Sequence, residues 1–192
     1  MKICVYGASS TTIDNEYVAK TELLGAEMVK RGHSLVYGAG KNGLMGAVAR
    51  GVKSQGGYVL GVIPKFFRKD SVEVIFTDCD QLIEPETMRE RKQIMEDNAD
   101  AFIITPGGIG TFEEFYEILT LKQLCQHNKP IAIYNIKNFY DETLHVLNTA
   151  IEKEFIKEKC NDLFKVCYTL EEIFSYIEAD QQQLKLKELK DV

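Results

Sequence analysis

Short apolar runs alternate with segments of helical periodicity along most of the chain, and this alternation constrains the fold more than any other feature. The runs are apolar at consecutive positions, as expected for strands whose two sheet faces are both covered. Strands that alternate with helices predict a parallel sheet. We therefore expect an α/β fold, a doubly wound parallel sheet with helices on both faces. It should form a single domain over residues 1–179, followed by a polar C-terminal tail over 180–192.

The pattern places six strands and six helices. The predicted strands are 2–7, 33–37, 57–63, 101–105, 130–134 and 164–168. The predicted helices are 14–31, 44–54, 85–98, 111–126, 139–155 and 170–178. Residues 65–84 fit neither pattern and are too many for an ordinary connection. We expect either a lid there or an additional strand, since residues 72–76 are β-like.

Charge and cysteine usage exclude several classes of protein. The 192 residues carry a net charge of -6, whereas a dedicated nucleic-acid binder usually shows a basic surface. No segment reaches the ~18 apolar residues of a membrane span, and the N-terminus lacks the pattern of a signal peptide. Five scattered cysteines without a C-x-x-C pair predict reduced thiols, which are typical of a cytoplasmic protein. The three histidines have no metal-ligand spacing, so we predict neither a metal nor a cofactor.

Three glycine-rich loops follow predicted strands: GASSTT at 7–12, GAGKNGLMG at 38–46 and PGGIGT at 106–111. Ligands of doubly wound sheets bind at the carboxyl ends of the strands. Glycines let the backbone approach a ligand closely, and a helix N-terminus favours an anion. The loops therefore predict an anion site, most plausibly for a phosphate. The alternative is that the glycines serve only tight strand–helix turns.

Two familiar nucleotide motifs are not matched. The first loop lacks the G-x-G-x-x-G spacing, and Gly38 follows the second strand where a dinucleotide site would place an acidic residue. Gly38 and Gly43 have the spacing of a P-loop, but Leu44 stands where that motif requires lysine. A NAD enzyme and a P-loop ATPase are both disfavoured.

One carboxylate lies on the apolar side of its predicted helix, where a solvated charge is not expected. At about 100° per residue, Glu114 falls on the apolar arc with Ile118, whereas Glu113, Glu117 and Thr120 share a polar arc. A carboxylate so close to the proposed phosphate site is a candidate for chemistry. The alternative is a glutamate that merely favours the helix start.

The helix predicted over 85–98 carries an arginine on its apolar face. Met88, Arg91 and Met95 share that face, and a buried charge needs a partner. A phosphate, a ligand hydroxyl or Glu114 would serve. The alternative is that Arg91 extends from the edge of the core to solvent.

These residues also resemble a known family. PGGIGTFEE at 106–114 matches the PGGxGTxxE signature of the Lonely Guy (LOG) family, and MRERK at 88–92 resembles its M-H-x-R-K signature. YGAGKNGLMG at 37–46 and GVIP at 61–64 fit in the same order, so the resemblance covers about residues 2–168. It implies a Rossmann-like fold and homodimers or larger assemblies. It also implies hydrolysis of cytokinin riboside 5′-monophosphates without a metal.

The resemblance assigns roles by position. Arg91 and Glu114 become the catalytic pair, and Lys92 with the 107–111 loop becomes a set of nucleotide contacts. The candidate substrate-binding residues are Ser9, Met88, Lys92, Gly107, Gly108, Ile109, Gly110, Thr111, Glu113 and Thr120. Arg89 stands where the family usually has histidine, Ala39 replaces a glycine and Ile109 an aromatic residue, which leaves the base preference open.

The predicted function is hydrolysis of the N-glycosidic bond of a purine nucleoside 5′-monophosphate, of adenine or cytokinin type. Its products would be the free base and ribose 5-phosphate. The alternative is a non-catalytic nucleotide-binding or carrier protein on the same fold. Lysine decarboxylase, a historical label of the family, is rejected because that chemistry normally needs pyridoxal phosphate, and this chain lacks the His-Lys pair of such enzymes. The resemblance also places helices 85–98 and 111–126 at a two-fold interface, so we expect a homodimer or larger homo-oligomer.

Overall fold

Seven parallel strands form one sheet in the computed structural model, which describes residues 1–69 and 73–179. The order is β4-β3-β2-β1-β5-β6-β7. The strands are β1 Lys2–Tyr6, β2 Ser34–Tyr37, β3 Val59–Val62, β4 Gln81–Ile83, β5 Ala101–Ile104, β6 Ile131–Tyr134 and β7 Lys165–Cys167. The chain runs outward from β1 to β4 and then returns to β5 on the other side of β1. The strand order therefore reverses between β1 and β5.

Helices cover both faces of this sheet. They are α1 Asn15–Lys30, α2 Gly43–Ser54, α3 Lys65–Lys69, α4 Met88–Asp97, α5 Ile109–Gln123, α6 Asp141–Glu152 and α7 Leu170–Ile177. One buried cluster joins the sheet to α1, α2 and α7, and a second joins its other face to α4, α5 and α6. Because each strand contributes side chains to both clusters, its sequence is apolar at consecutive positions. The predicted doubly wound α/β fold is confirmed.

The structure corrects the prediction mainly within residues 65–84. This stretch contains α3, which was not predicted, and an additional strand, β4, which lies at Gln81–Ile83 and not at the β-like residues 72–76. Ile75 adds a single antiparallel bridge to Gly40. Val72, the first residue of the β-like run, lies outside the described residues, as does the predicted tail over 180–192. No helix in the described ranges has the length and apolarity needed to cross a membrane.

Three helix starts also differ from the prediction by two or more residues, among them that of α6, which begins at Asp141 and not at 139. α4 begins at Met88 because Thr87 and Glu90 form a capping box, in which each side chain bonds the other residue's backbone N–H. α5 begins at Ile109, directly after Gly108, and not at Thr111. The amides of Ile109 and Gly110 thus belong to the first turn of α5, at the positive end of the helix dipole.

Candidate active site

The glycine-rich loops meet at the carboxyl ends of β1 and β5, where the strand order reverses and ligands of such sheets bind. The amide of Ala8 donates to the carbonyl of Pro106 over 3.1 Å, which ties the first loop to the last. The carbonyl of Ala8 accepts from the amide of Leu44 over 2.8 Å, which ties the first loop to the second. All three loops predicted to bind an anion therefore border one region.

A cavity of about 410 Å³ opens between these loops and α4. Its lining consists of Gly7, Ala8, Ser9, Ser10, Met45, Phe67, Glu73, Met88, Arg91, Gly108, Gly110, Thr111 and Glu114. Seven of the residues singled out from the sequence are among them. They are Ser9, Met88, Arg91, Gly108, Gly110, Thr111 and Glu114. We call this space the catalytic cavity.

A second, more apolar cavity of about 330 Å³ adjoins the catalytic cavity and shares Ala8, Ser10 and Gly108 with it. Ile13, Tyr17 and Phe139 form its apolar wall, and Gly107 lines it together with Gly108. Gly107 therefore faces this space and not the catalytic cavity.

The N-terminus of α5 forms one end of the catalytic cavity. A Cβ atom built on Gly108 or Gly110 would meet no atom within 4 Å, so the backbone there faces open space. Thr111, one residue further, presents its side chain beside Gly107. Backbone amides and a positive helix end are the groups that bind phosphate without a lysine.

Glu114 lies one turn further along α5 and is 9% exposed. Its Oε1 is 3.5 Å from Nη1 of Arg91. Burial raises the pKa of Glu114 to about 7, against the opposing effect of the Arg91 charge. A carboxyl group with this pKa can exist as carboxylate or as acid near neutral pH, which suits proton transfer.

Arg91 is 5% exposed and fixed by the sheet. Its Nε donates to the carbonyl of Val62 over 3.1 Å, and its Nη2 lies 3.5 Å from the carbonyl of Gly38. The guanidinium lies 5.9 Å from the ring centroid of Phe67. The structure buries Arg91 and brings Glu114, one of the three partners considered for its charge, within 3.5 Å of it.

Besides Gly107, four predicted site residues lie outside the catalytic cavity. Lys92 forms ion pairs with Glu113 and, at 2.7 Å, with Glu117 on the outer face of α5. Thr120 is exposed on that same face, and Ile109 is 87% exposed. Lys92 follows Arg91 directly, so it projects about 100° away from the catalytic cavity around α4. The structure does not bring these four residues into the cavity.

Glu73 and Phe67 line the catalytic cavity but were not predicted. Both come from the stretch 65–84, which could not be assigned from the sequence apart from the β-like residues 72–76. Ser9 lines the cavity together with Glu73 and opposes the rise of its pKa on burial. Within residues 1–69 and 73–179, no group of three or more His, Cys, Asp or Glu side chains has the arrangement of a metal site.

Comparison with known proteins agrees with the sequence signatures. Residues 45–177 match the family model described as "Possible lysine decarboxylase". The cytokinin riboside 5′-monophosphate phosphoribohydrolase LOG2 of Arabidopsis thaliana is 39% identical over 155 residues, which are 81% of this chain and 72% of that protein. The rice protein LOG is 38% identical over 92% of this chain and 72% of its own length. The probable phosphoribohydrolase LOG6 of Arabidopsis thaliana is 36% identical over 95% of this chain and 90% of its own length.

Solved structures share the fold at lower sequence identity. The molybdenum cofactor carrier protein of Chlamydomonas reinhardtii superposes with a TM-score of 0.69 at 19% identity, over 92% of this chain and 95% of that one. A structural-genomics target reaches 0.71 at 22% identity, over 93% and 99%. These likenesses concern the Rossmann-like fold alone. The family match and the curated relatives go further, and on their evidence this chain belongs to the LOG family.

Proposed function

We propose that the protein hydrolyses the N-glycosidic bond of a purine nucleoside 5′-monophosphate and releases the free base and ribose 5-phosphate. The enzyme class follows from the curated relatives, which are named phosphoribohydrolases and not lysine decarboxylases. The observation that carries the proposal is the buried Arg91–Glu114 pair, one helical turn from the open amides of the α5 N-terminus.

The geometry supports separate binding of the phosphate and the sugar at successive positions along α5. The 5′-phosphate would occupy the open backbone at Gly108 and Gly110, which places the sugar beside Glu114. Breaking an N-glycosidic bond develops positive charge on the sugar, which a nearby carboxylate stabilises. Glu114 in its ionised form would also accept a proton from the attacking water. The contacts to the phosphate position the sugar beside that carboxylate.

Phosphate recognition gives the direct test of this proposal. Purified protein should release adenine from AMP, and kcat/KM for adenosine should be lower by about 10²–10⁴, because charge-assisted hydrogen bonds to the phosphate are lost. Chromatography of the free base measures both reactions. Equal values for the two substrates would exclude phosphate binding at α5. Tight AMP binding without release of adenine would favour the alternative of a nucleotide-binding or carrier protein.

Gly38 gives a second test, because it makes room for the arginine. A Cβ on Gly38 would lie 1.9 Å from Nη2 of Arg91, so Gly38→Ala must displace the guanidinium. Misplacement of a catalytic group by about 1 Å costs about 10²-fold in rate, and we expect a loss in kcat of about that size. Thermal melts of the variant are measured beside the kinetics, so that a loss of rate in folded protein is separated from unfolding. Normal turnover of Gly38→Ala would contradict a fixed position of Arg91.

We also propose that the protein is a homodimer or a larger homo-oligomer in which α4 and α5 pack against a second copy. The outer face of α5 supports this arrangement, since Ile109 is 87% and Leu124 61% exposed beside the Lys92 ion pairs. Light scattering at micromolar concentration should give at least twice the mass of 21.8 kDa. Leu124→Glu should lower that mass by placing a charge in the interface. A strictly monomeric wild-type protein would refute the proposal.

A further inference from the structure

Glu73 is an ionisable group of the catalytic cavity that the mechanism above does not use. Its side chain lines the same space as Arg91 and Glu114. Arg91 is the charged residue that acts on its carboxyl group, and both Arg91 and Ser9 oppose the rise of its pKa on burial. Arg91 therefore acts electrostatically on two carboxyl groups, Glu73 and Glu114.

The surroundings of Glu73 favour the protonated acid. Its Oε1 is buried and has no hydrogen-bond partner among the described residues. The same oxygen packs against the backbone of Gly40, where an added Cβ would lie only 2.4 Å away. An ionised oxygen without a partner is costly, so burial raises the pKa of Glu73 despite the nearby arginine.

The position of Glu73 in the cavity indicates which part of a nucleotide it would meet. If the phosphate binds at the α5 N-terminus and the sugar lies beside Glu114, the base occupies the remaining wall, which contains Met45, Phe67 and Glu73. The thioether and the aromatic ring suit the face of a purine. The Glu73 carboxyl group is the acidic group of this wall, which also contains the hydroxyl groups of Ser9 and Ser10.

A purine leaves poorly as an anion, so its departure is accelerated by a proton. The need for a proton donor and the placement of Glu73 beside the base together indicate a role for Glu73. We propose that Glu73 is the general acid that protonates the departing purine, an inference that rests on the proposed function. Glu73 and Glu114 would then be the acid and the base of a two-carboxyl hydrolysis.

The step balances without a further reagent. The C1′–N9 bond breaks and its electron pair goes to the purine, which takes the proton of Glu73 on a ring nitrogen. Water forms the new C1′–O bond and gives its proton to Glu114. Glu73 is then ionised and Glu114 protonated, and one proton exchanged through solvent restores the starting state.

A change of leaving group separates this role from simple binding. The test compares AMP with 6-chloropurine riboside 5′-monophosphate. The chloropurine base has nearly the same shape as adenine and departs more easily as an anion. Glu73→Gln should lower kcat for AMP by about 10²-fold, a usual contribution of a general acid, and for the chloropurine nucleotide by less than about tenfold. Glu114→Gln should impair both substrates alike, since it acts on the sugar and the water.

Controls make each result decisive. Glu73→Asp retains a transferable proton and should keep more AMP turnover than Glu73→Gln, and exposed Glu152→Gln in α6 should match the wild type. Turnover of the chloropurine nucleotide shows that the Glu73 variants are folded. Equal losses on the two nucleotides, or normal AMP turnover by Glu73→Gln, would overturn the assignment. A wild-type protein that releases no base would refute the proposed function itself.

Discussion

Glu114→Gln should lower kcat for AMP by about 10²–10⁴, the range for a positioned acid–base group, while AMP still binds. Glutamine keeps the shape and most of the hydrogen bonding of Glu114 but cannot carry the negative charge that meets the developing cation. The structure makes the test selective within one helix. Glu113 and Glu117 are engaged by Lys92 on the outer face of α5, away from the catalytic cavity.

Matched variants of the same helix give the control. Glu117→Gln and Glu113→Gln should stay within a few-fold of wild type, each losing one contact to Lys92. Initial rates of adenine release across the three variants measure the effect. If Glu113→Gln loses turnover and Glu114→Gln keeps it, the assignment of the catalytic carboxylate is wrong.

The pH dependence of stability provides an independent signature of Glu114. Burial raises its pKa from 4.5 to about 7, so the folded protein holds a proton that the unfolded chain releases at lower pH. The free energy of unfolding therefore falls as the pH rises from about 4.5 to about 7. Glu114→Gln should reduce this fall, which urea titrations at pH 5 and pH 8 will show. In the same interval the wild-type rate should increase, because Glu114 acts as the carboxylate.

The sequence was most informative where a charged residue contradicted its apolar surroundings. Arg91 and Glu114 stand on apolar helix faces, and the structure pairs them at 3.5 Å in a buried position. The burial of both charges followed from helical spacing, because a helix face is set by local geometry. The family signatures select the same two positions independently.

The neighbouring residue Lys92 shows what a sequence signature does not predict. Lys92 belongs to the same signature as Arg91, yet its side chain contacts Glu113 and Glu117 on another face. A motif gives residue identity, whereas the direction of each side chain depends on its place on the helix. Roles for Lys92 and Glu113 in nucleotide binding therefore remain predictions that involve the outer face of α5.

The cavity role of Glu73 and the position of β4 could not be predicted for a different reason. The stretch 65–84 is held to the sheet by contacts with residues distant in sequence, such as the Ile75–Gly40 bridge and the pairing of β4 with β3. Such contacts are long-range and leave no periodic pattern in the sequence. Residues of such a cavity wall can be identified only from the tertiary structure, which places them near Arg91.

Arg91→Ala should lower the rate on AMP at pH 7 by more than about 10²-fold, with partial recovery at higher pH. The variant leaves Glu114 buried without its positive partner, and the pKa of Glu114, already raised to about 7, should rise further. A smaller fraction of the variant then has Glu114 ionised at pH 7, and this fraction increases at higher pH. Arg91→Lys should be intermediate, since it keeps the charge but loses the hydrogen bond to the carbonyl of Val62.

Two comparisons separate this electrostatic role from others. Arg89→Ala removes a neighbouring exposed arginine of α4 and should leave the rate within a few-fold of wild type. Thermal melts are needed beside the kinetics, because removal of one partner of a buried ion pair costs about 3–5 kcal/mol of stability. A loss in Arg91→Ala that is the same at pH 7 and pH 9, in protein that remains folded, would show that Arg91 acts directly on the substrate. Recovery at pH 9 would instead show that its main task is to keep Glu114 ionised beside the sugar.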